Sequence, residues 1–223
     1  MFGKKRADPD RKSADRDGQS HLIYITKEKI DELLARAPEH LKPVTPRRMV
    51  AFDVETPNTV GNCICSAGLT VIENNRVTDT VEIRVNPESF FDWRCVRVHG
   101  ITADEVADEP TFPEVWDTIR GIMEDSVILA HNATFDLGVL KKMLYRYGLD
   151  FHPVTYADTL TISRAVYGKS MPNHKLGTLC AELGIPLDAH KAGSDSFGCA
   201  ELYLRMQEQA GELREFDRFY DFS

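Results

Sequence analysis

The chain has little that would carry it into or across a membrane. No apolar run approaches the roughly 20 residues that span a bilayer, and residues 1–20 hold basic side chains without a secretory apolar stretch. Neither export nor membrane insertion is expected, so the default is a cytoplasmic protein with no membrane partner. Cysteine is scarce as well: there are 5, an odd number, and no Cys-x-x-Cys pair. That argues against a disulfide framework and against structural zinc. Cys63 and Cys65 read as small buried hydrophobes on one face of a strand. A basic surplus is also missing. The formal net charge is −8; residues 1–47 hold 11 Lys and Arg against 8 Asp and Glu, which leaves 16 against 27 for the rest. A sequence-specific duplex binder would usually show a basic face. An acidic body instead suits a cleft of carboxylates offset by divalent cations. No internal repeat is visible.

What is present is enough for one well-cored domain with an appendage: 223 residues, 42% hydrophobic and 28% charged. Residues 1–20, polar and nearly free of large apolar side chains, are expected to be a disordered arm. Residues 21–47 read as a short appendage and linker, with a strand over Leu22–Ile25, a helix over Lys27–Ala37 and then Pro38, Pro43 and Pro46. The core domain is expected over residues 48–210. Met49, Val50, Ala51 and Phe52 form a continuous apolar run, as in a central strand covered on both faces. Ile64–Glu73 and Val77–Val85 read as two further strands joined by a turn at Glu73-Asn74-Asn75-Arg76. Val127–Ala130 is a short buried strand. Helices are expected over Phe112–Met123, Ala133–Tyr147, Asp158–Tyr167, Lys175–Leu183 and Asp195–Met206, and Thr102 is placed to cap a short one. Residues 211–223 form a tail with Phe216, Phe219, Tyr220 and Phe222, to which the sequence assigns no role. This order defines an α/β fold with one mixed central sheet, antiparallel at its edge and flanked by helices.

Three segments carry chemistry. Asp53 and Glu55 sit two apart at the end of the first strand, so both carboxylates face one side. Two acids on a buried strand repel unless a cation lies between them. Asp136 falls near the start of a helix, after Asn132 and Phe135; strand ends of this kind gather ligands, and the Phe135 ring could meet a base. Asp195 opens the last helix, where an N-cap role is the commoner one. His190 lies in the loop before it.

Taken together these segments resemble the DEDD exonucleases, in the DEDDh branch that uses a histidine in its third motif. That family includes the proofreading subunit of DNA polymerase III, ribonuclease T and oligoribonuclease. The match runs from about Met49 to Met206. It comprises Asp53-Val54-Glu55-Thr56, Val98-His99-Gly100-Ile101-Thr102, His131 to Asp136, Asp158-Thr159-Leu160, Lys175-Leu176-Gly177-Thr178-Leu179 and His190 to Asp195. The resemblance implies a ribonuclease H-like fold and two-metal hydrolysis of single-stranded DNA or RNA from its 3′ end, releasing nucleoside 5′-monophosphates. By similarity Asp53 would bridge two Mg²⁺ or Mn²⁺ ions, Glu55 and Asp195 would complete one site, and Asp136 would hold the other through water. His190 would be the general base; Thr56, His99, Asn132 and Phe135 would line the substrate pocket. Pro57-Asn58 stands where the family often has Gly-Leu. Two alternatives accompany this expectation: a proofreading subunit bound to a DNA polymerase, and a non-catalytic nucleic-acid-binding protein on the same fold.

Overall fold

The structure, a computed structural model, describes residues 47–60 and 63–223. The arm expected over 1–20 and all of the appendage expected over 21–47 except Arg47 lie outside the described residues.

Six strands form one sheet in the order β3-β2-β1-β4-β5-β6. β1 (Met49–Glu55) is central, antiparallel to β2 (Ser66–Glu73) and parallel to β4 (Val127–Ala130). β2 turns into β3 (Arg76–Arg84) through Asn74 and Asn75, both at positive φ (52° and 58°), the backbone that a tight hairpin requires. β5 (Val154–Asp158) lies parallel to β4. Residues of opposite parity on β1 enter different cores. Val50, Phe52 and Val54 pack with α2 (Phe112–Met123) and α3 (Ala133–Tyr147). Met49 and Ala51 pack with α4 (Thr159–Val166), α5 (Leu176–Leu183) and α6 (Ala192–Ala210). A strand buried on both faces explains the unbroken apolar run.

Two elements escape the sequence pattern. Trp93–His99 is a helix, α1, where only a loop was expected before His99. Its β-branched residues disguise it, but the Asp92 side chain accepts from the Arg94 N–H at 2.9 Å, and Gly100 ends it at φ 78°. The second is the tail. Arg218–Tyr220 forms β6, antiparallel to β5, and Phe222 is buried with its ring 5.3 Å from that of Phe151. Asp217 pairs with Arg47, which also donates to the Tyr203 hydroxyl at 2.9 Å. Residues 211–223 are therefore part of the sheet and core, not an appended tail; aromatic side chains so close to the chain end were the visible sign. Cys63 and Cys65 are buried as expected, but both precede β2.

One close approach sets the position of α6. Gly68 on β2 pairs with Asp53 on β1 and with Glu82 on β3. A Cβ on Gly68 would lie 1.8 Å from the Ala192 carbonyl oxygen. The missing side chain lets the first turn of α6 rest directly on the sheet. Ser196 adds a buried tie, its hydroxyl 2.9 Å from that of Thr70.

Candidate active site

The first acids come from the end of β1. Asp53 and Glu55 share the face of β1 that carries Met49 and Ala51, toward α6. Asp195, in the first turn of α6, reaches that face because Gly68 lets the helix settle there. Its Oδ2 accepts the His190 backbone N–H at 2.7 Å. That bond pins His190 at φ 65°, a left-handed conformation rare for a residue with a Cβ. Asp136 arrives from the first turn of α3, with Oδ1 accepting the Val54 N–H at 3.2 Å. Ligating atoms of Glu55, His190 and Asp195 all lie within 4.8 Å of one another. Asp53, His131, Leu176, Leu187, His190 and Asp195 line a cleft of 460 Å³.

The electrostatics match a site with unbalanced negative charge. Burial, then Asp136, Asp195, Glu55 and Glu82, hold the Asp53 carboxyl well above the usual carboxylate range. Glu55 is pushed up to about 7 by burial and by Asp195 and Glu82, against the opposing pull of Lys191 and Arg84. Burial also raises Asp136, although the Val54 N–H works the other way. Asp195 is raised by burial, in part offset by His190. Acids that resist ionisation side by side, offering hard oxygen donors, fit Mg²⁺ or Mn²⁺.

The sign of the linkage follows. With folded-state values above the unfolded ones, the metal-free protein loses stability as pH rises from about 4 through about 7, where Glu55 ionises. Its melting temperature is expected to be lower at pH 8 than at pH 5 by roughly 5 °C or more. Millimolar Mn²⁺ should remove most of that difference by binding the folded state. A pH-independent melting temperature, or one that ignores Mn²⁺, contradicts this account.

The remaining expected residues divide. Phe135 is 46% exposed, its ring available at the catalytic end of α3. Asn132, at φ 77°, is exposed at the start of α3, and its backbone N–H donates to Asp158 Oδ1 at 2.9 Å. Thr56 is half-buried at the end of β1. His99 differs from expectation: it is 3% exposed and both ring nitrogens are engaged. Nδ1 accepts from the Ile101 N–H at 3.0 Å, so Nε2 carries the proton and donates to the Thr56 carbonyl at 3.2 Å. No ring nitrogen of His99 is left free to meet a ligand.

Glu82 was missed in the sequence. Its Oε2 accepts the Gly193 N–H at 3.1 Å and its Oε1 accepts from Ser66 at 3.0 Å. It therefore holds the start of α6 and adds a fifth negative charge near Asp53. Tracing the hairpin register from Asn74-Asn75 would have set Val81 opposite Gly68; an irregularity between Val71 and Ile72 shifts the register by one residue and brings Glu82 there instead. Lys191 was missed too; its Nζ donates to the His99 carbonyl at 3.3 Å, bridging α6 to the end of α1.

The model of the exonuclease family matches residues 50–203, and the chain belongs to that family. It is 32% identical over 167 residues to a PolC-type DNA polymerase III of Caldanaerobacter subterraneus subsp. tengcongensis, covering 74% of this chain but 12% of that protein. It is 30% identical over 188 residues to the DNA polymerase III subunit epsilon of Haemophilus influenzae, covering 78% of this chain and 72% of the relative. The chain thus spans about an eighth of the polymerases it matches and most of the epsilon subunit. Among solved structures, the nuclease domain of 3′hExo, described as a DEDDh family member bound to rAMP, superposes with a TM-score of 0.65 at 20% identity, covering 79% and 97% of the two chains. Exonuclease X in complex with 5′ overhanging duplex DNA gives 0.62 at 20% identity, covering 75% and 96%. The ribonuclease H-like fold expected from the sequence is the fold found. Among the described residues no helix is long and apolar enough to cross a membrane.

Proposed function

We propose that the protein is a metal-dependent 3′–5′ exonuclease that removes nucleoside 5′-monophosphates from single-stranded DNA or RNA. The observation that carries the reading is that Asp53, His190 and Asp195 line one cleft, Glu55 offers an oxygen within 4.8 Å of His190 and Asp195, and buried Asp136 lies close enough to raise the Asp53 carboxyl, all four acids being held above the usual range. Those four acids would hold two Mg²⁺ or Mn²⁺ ions, which supply charge stabilisation to the attacking and leaving oxygens of an in-line displacement. His190 takes the proton of the attacking water at a ring nitrogen, and its backbone bond to Asp195 keeps the imidazole over the acids. Phe135 stacks on the terminal base, and Thr56, held by His99, lines the pocket.

Digestion of matched 5′-labelled and 3′-labelled single strands of DNA and RNA tests the direction and the sugar together. The 3′ label should leave at once as a mononucleotide, while the 5′-labelled strand shortens stepwise; release from the 5′ end, or no release, ends the proposal. Similarity to the epsilon subunit favours a second arrangement of the same chemistry, a proofreading subunit. Stable co-purification with a DNA polymerase would support that arrangement.

Gly68→Ala probes how the cleft is assembled. The new Cβ must push back the Ala192 carbonyl and with it the start of α6. Overpacking of this kind costs roughly 1–3 kcal/mol, and a shift near 1 Å in catalytic groups costs on the order of 10²-fold in rate. Near-normal kinetics in this variant would show that the contact does not fix Asp195 and His190.

A further inference from the structure

We infer that the strand upstream of the cleaved nucleotide is held along the outer face of α3, in a cationic and aromatic groove. This rests on the exonuclease reading and adds a binding surface to it. The groove encloses 890 Å³, against 460 Å³ for the catalytic cleft, and runs between α3, Val60 and the residues after β6. Its walls carry Lys141, Lys142 and Arg146, in a chain whose body is strongly acidic beyond residue 47.

Helical spacing links the groove to the helix start that bears Asp136. Phe135, Gly138, Lys142 and Tyr145 recur at intervals of three and four, so they form one stripe along α3. The stripe begins beside Asp136 and extends about 15 Å at 1.5 Å per residue. Tyr145 is 90% exposed and Val60 is 59% exposed, large apolar surfaces left uncovered among the described residues. Gly138 leaves the floor bare: a Cβ there would meet nothing within 4 Å. The cations are anchored at the walls. Lys141 donates to the Asp221 carbonyl at 3.2 Å, and the Arg146 guanidinium donates to Cys63 Sγ at 3.0 Å while lying 5.1 Å from the centre of the Tyr147 ring.

Rings open to solvent beside a row of cations are the elements that hold a single strand without reading its sequence. Bases stack on the rings and phosphates pair with the charges. A protein partner would also accept the apolar surface, but the charge is complementary to a polyanion, and the stripe starts at the residue that receives the terminal base.

Three surface variants of the full chain test this: Tyr145→Ala, Lys142→Gln and Gly138→Leu. The first measurement is binding of a long fluorescent single strand to metal-free protein, by anisotropy. The second is hydrolysis of the same strand and of a dinucleotide with Mn²⁺. Tyr145→Ala and Gly138→Leu should each weaken long-strand binding roughly tenfold. Lys142→Gln should flatten the dependence of log affinity on log salt by about 0.7, the slope carried by one phosphate contact on a single strand. The kinetics of the dinucleotide, too short to pass Phe135, should not change. If the variants bind the long strand as wild type does, the groove is a face for something other than nucleic acid and the inference fails, with the exonuclease reading intact. Equal damage to dinucleotide and long strand also overturns it, because the substitutions would then act on the cleft. A wild-type protein that cleaves neither substrate defeats the exonuclease reading, while the anisotropy series still decides whether the groove takes the strand.

Discussion

Asp53→Asn is expected to abolish hydrolysis and, at pH 8, to raise the melting temperature of the metal-free protein. The Asp53 carboxylate is opposed by its surroundings, through burial first and then four neighbouring carboxylates. Replacing it with a neutral amide of the same shape removes that opposition, so the metal-free fold gains stability wherever the wild-type carboxylates would be ionised. The same change takes a ligand from the centre of the acidic cluster. Loss of charge stabilisation worth several kcal/mol in the transition state should lower kcat by more than about 10³-fold. The two effects have opposite signs for activity and stability, and that pairing separates a site built for cations from a structural cluster. A variant that is less stable than wild type without metal, or that retains a tenth of the activity, would contradict the assignment.

His190→Ala should lower kcat by roughly 10²–10⁴-fold, the usual scale for a general base, and erase the acid limb of the pH–rate profile. The imidazole is exposed, and only its backbone is tied to Asp195, so removing the ring leaves the carboxylates in place. The midpoint of a Mn²⁺ titration followed by melting should therefore stay close to wild type. A large shift in that midpoint would make His190 a metal ligand, which its proximity to Glu55 and Asp195 also permits. His99→Ala supplies the contrast. It removes a buried ring that satisfies the Ile101 N–H and the Thr56 carbonyl, so it should cost stability, on the order of 1–3 kcal/mol, and raise KM through Thr56. Its acid limb should survive. If His99→Ala loses the limb and His190→Ala keeps it, the base has been assigned to the wrong histidine.

How far these residues could be read from the sequence depends on whether their geometry is local. Asp53 and Glu55 announce themselves because strand alternation is a local rule, and the apolar run before them marks a strand covered on both sides. Asp136 and Asp195 are legible as acids in first helical turns. What was hidden depends on register and on contacts between distant segments. Glu82 joins the cleft only because the hairpin sets it opposite Gly68, which in turn lies opposite Asp53. His99 looks like a pocket residue in the motif, yet its two hydrogen bonds, to residues 2 and 43 positions away, turn it into a clamp. The α1 helix is held by a cap at Asp92 and a glycine stop, signals weaker than its β-branched composition. β6 is too short to show any period at all.

The lateness of β6 in the chain bears on how the protein is made. Its partner β5 ends at Asp158, but the edge of β5 is not covered until Arg218–Tyr220 has left the ribosome. During synthesis of the 59 residues between, the outer parallel strand offers unpaired backbone groups of the kind that recruit other nascent chains. A polypeptide cut at residue 203, where the family match ends, would keep every acid of the cleft and yet carry that open edge permanently. Such a fragment should be prone to aggregate at concentrations that the longer chain tolerates. In this protein the acids of the candidate site are all in place before the sheet has its sixth strand.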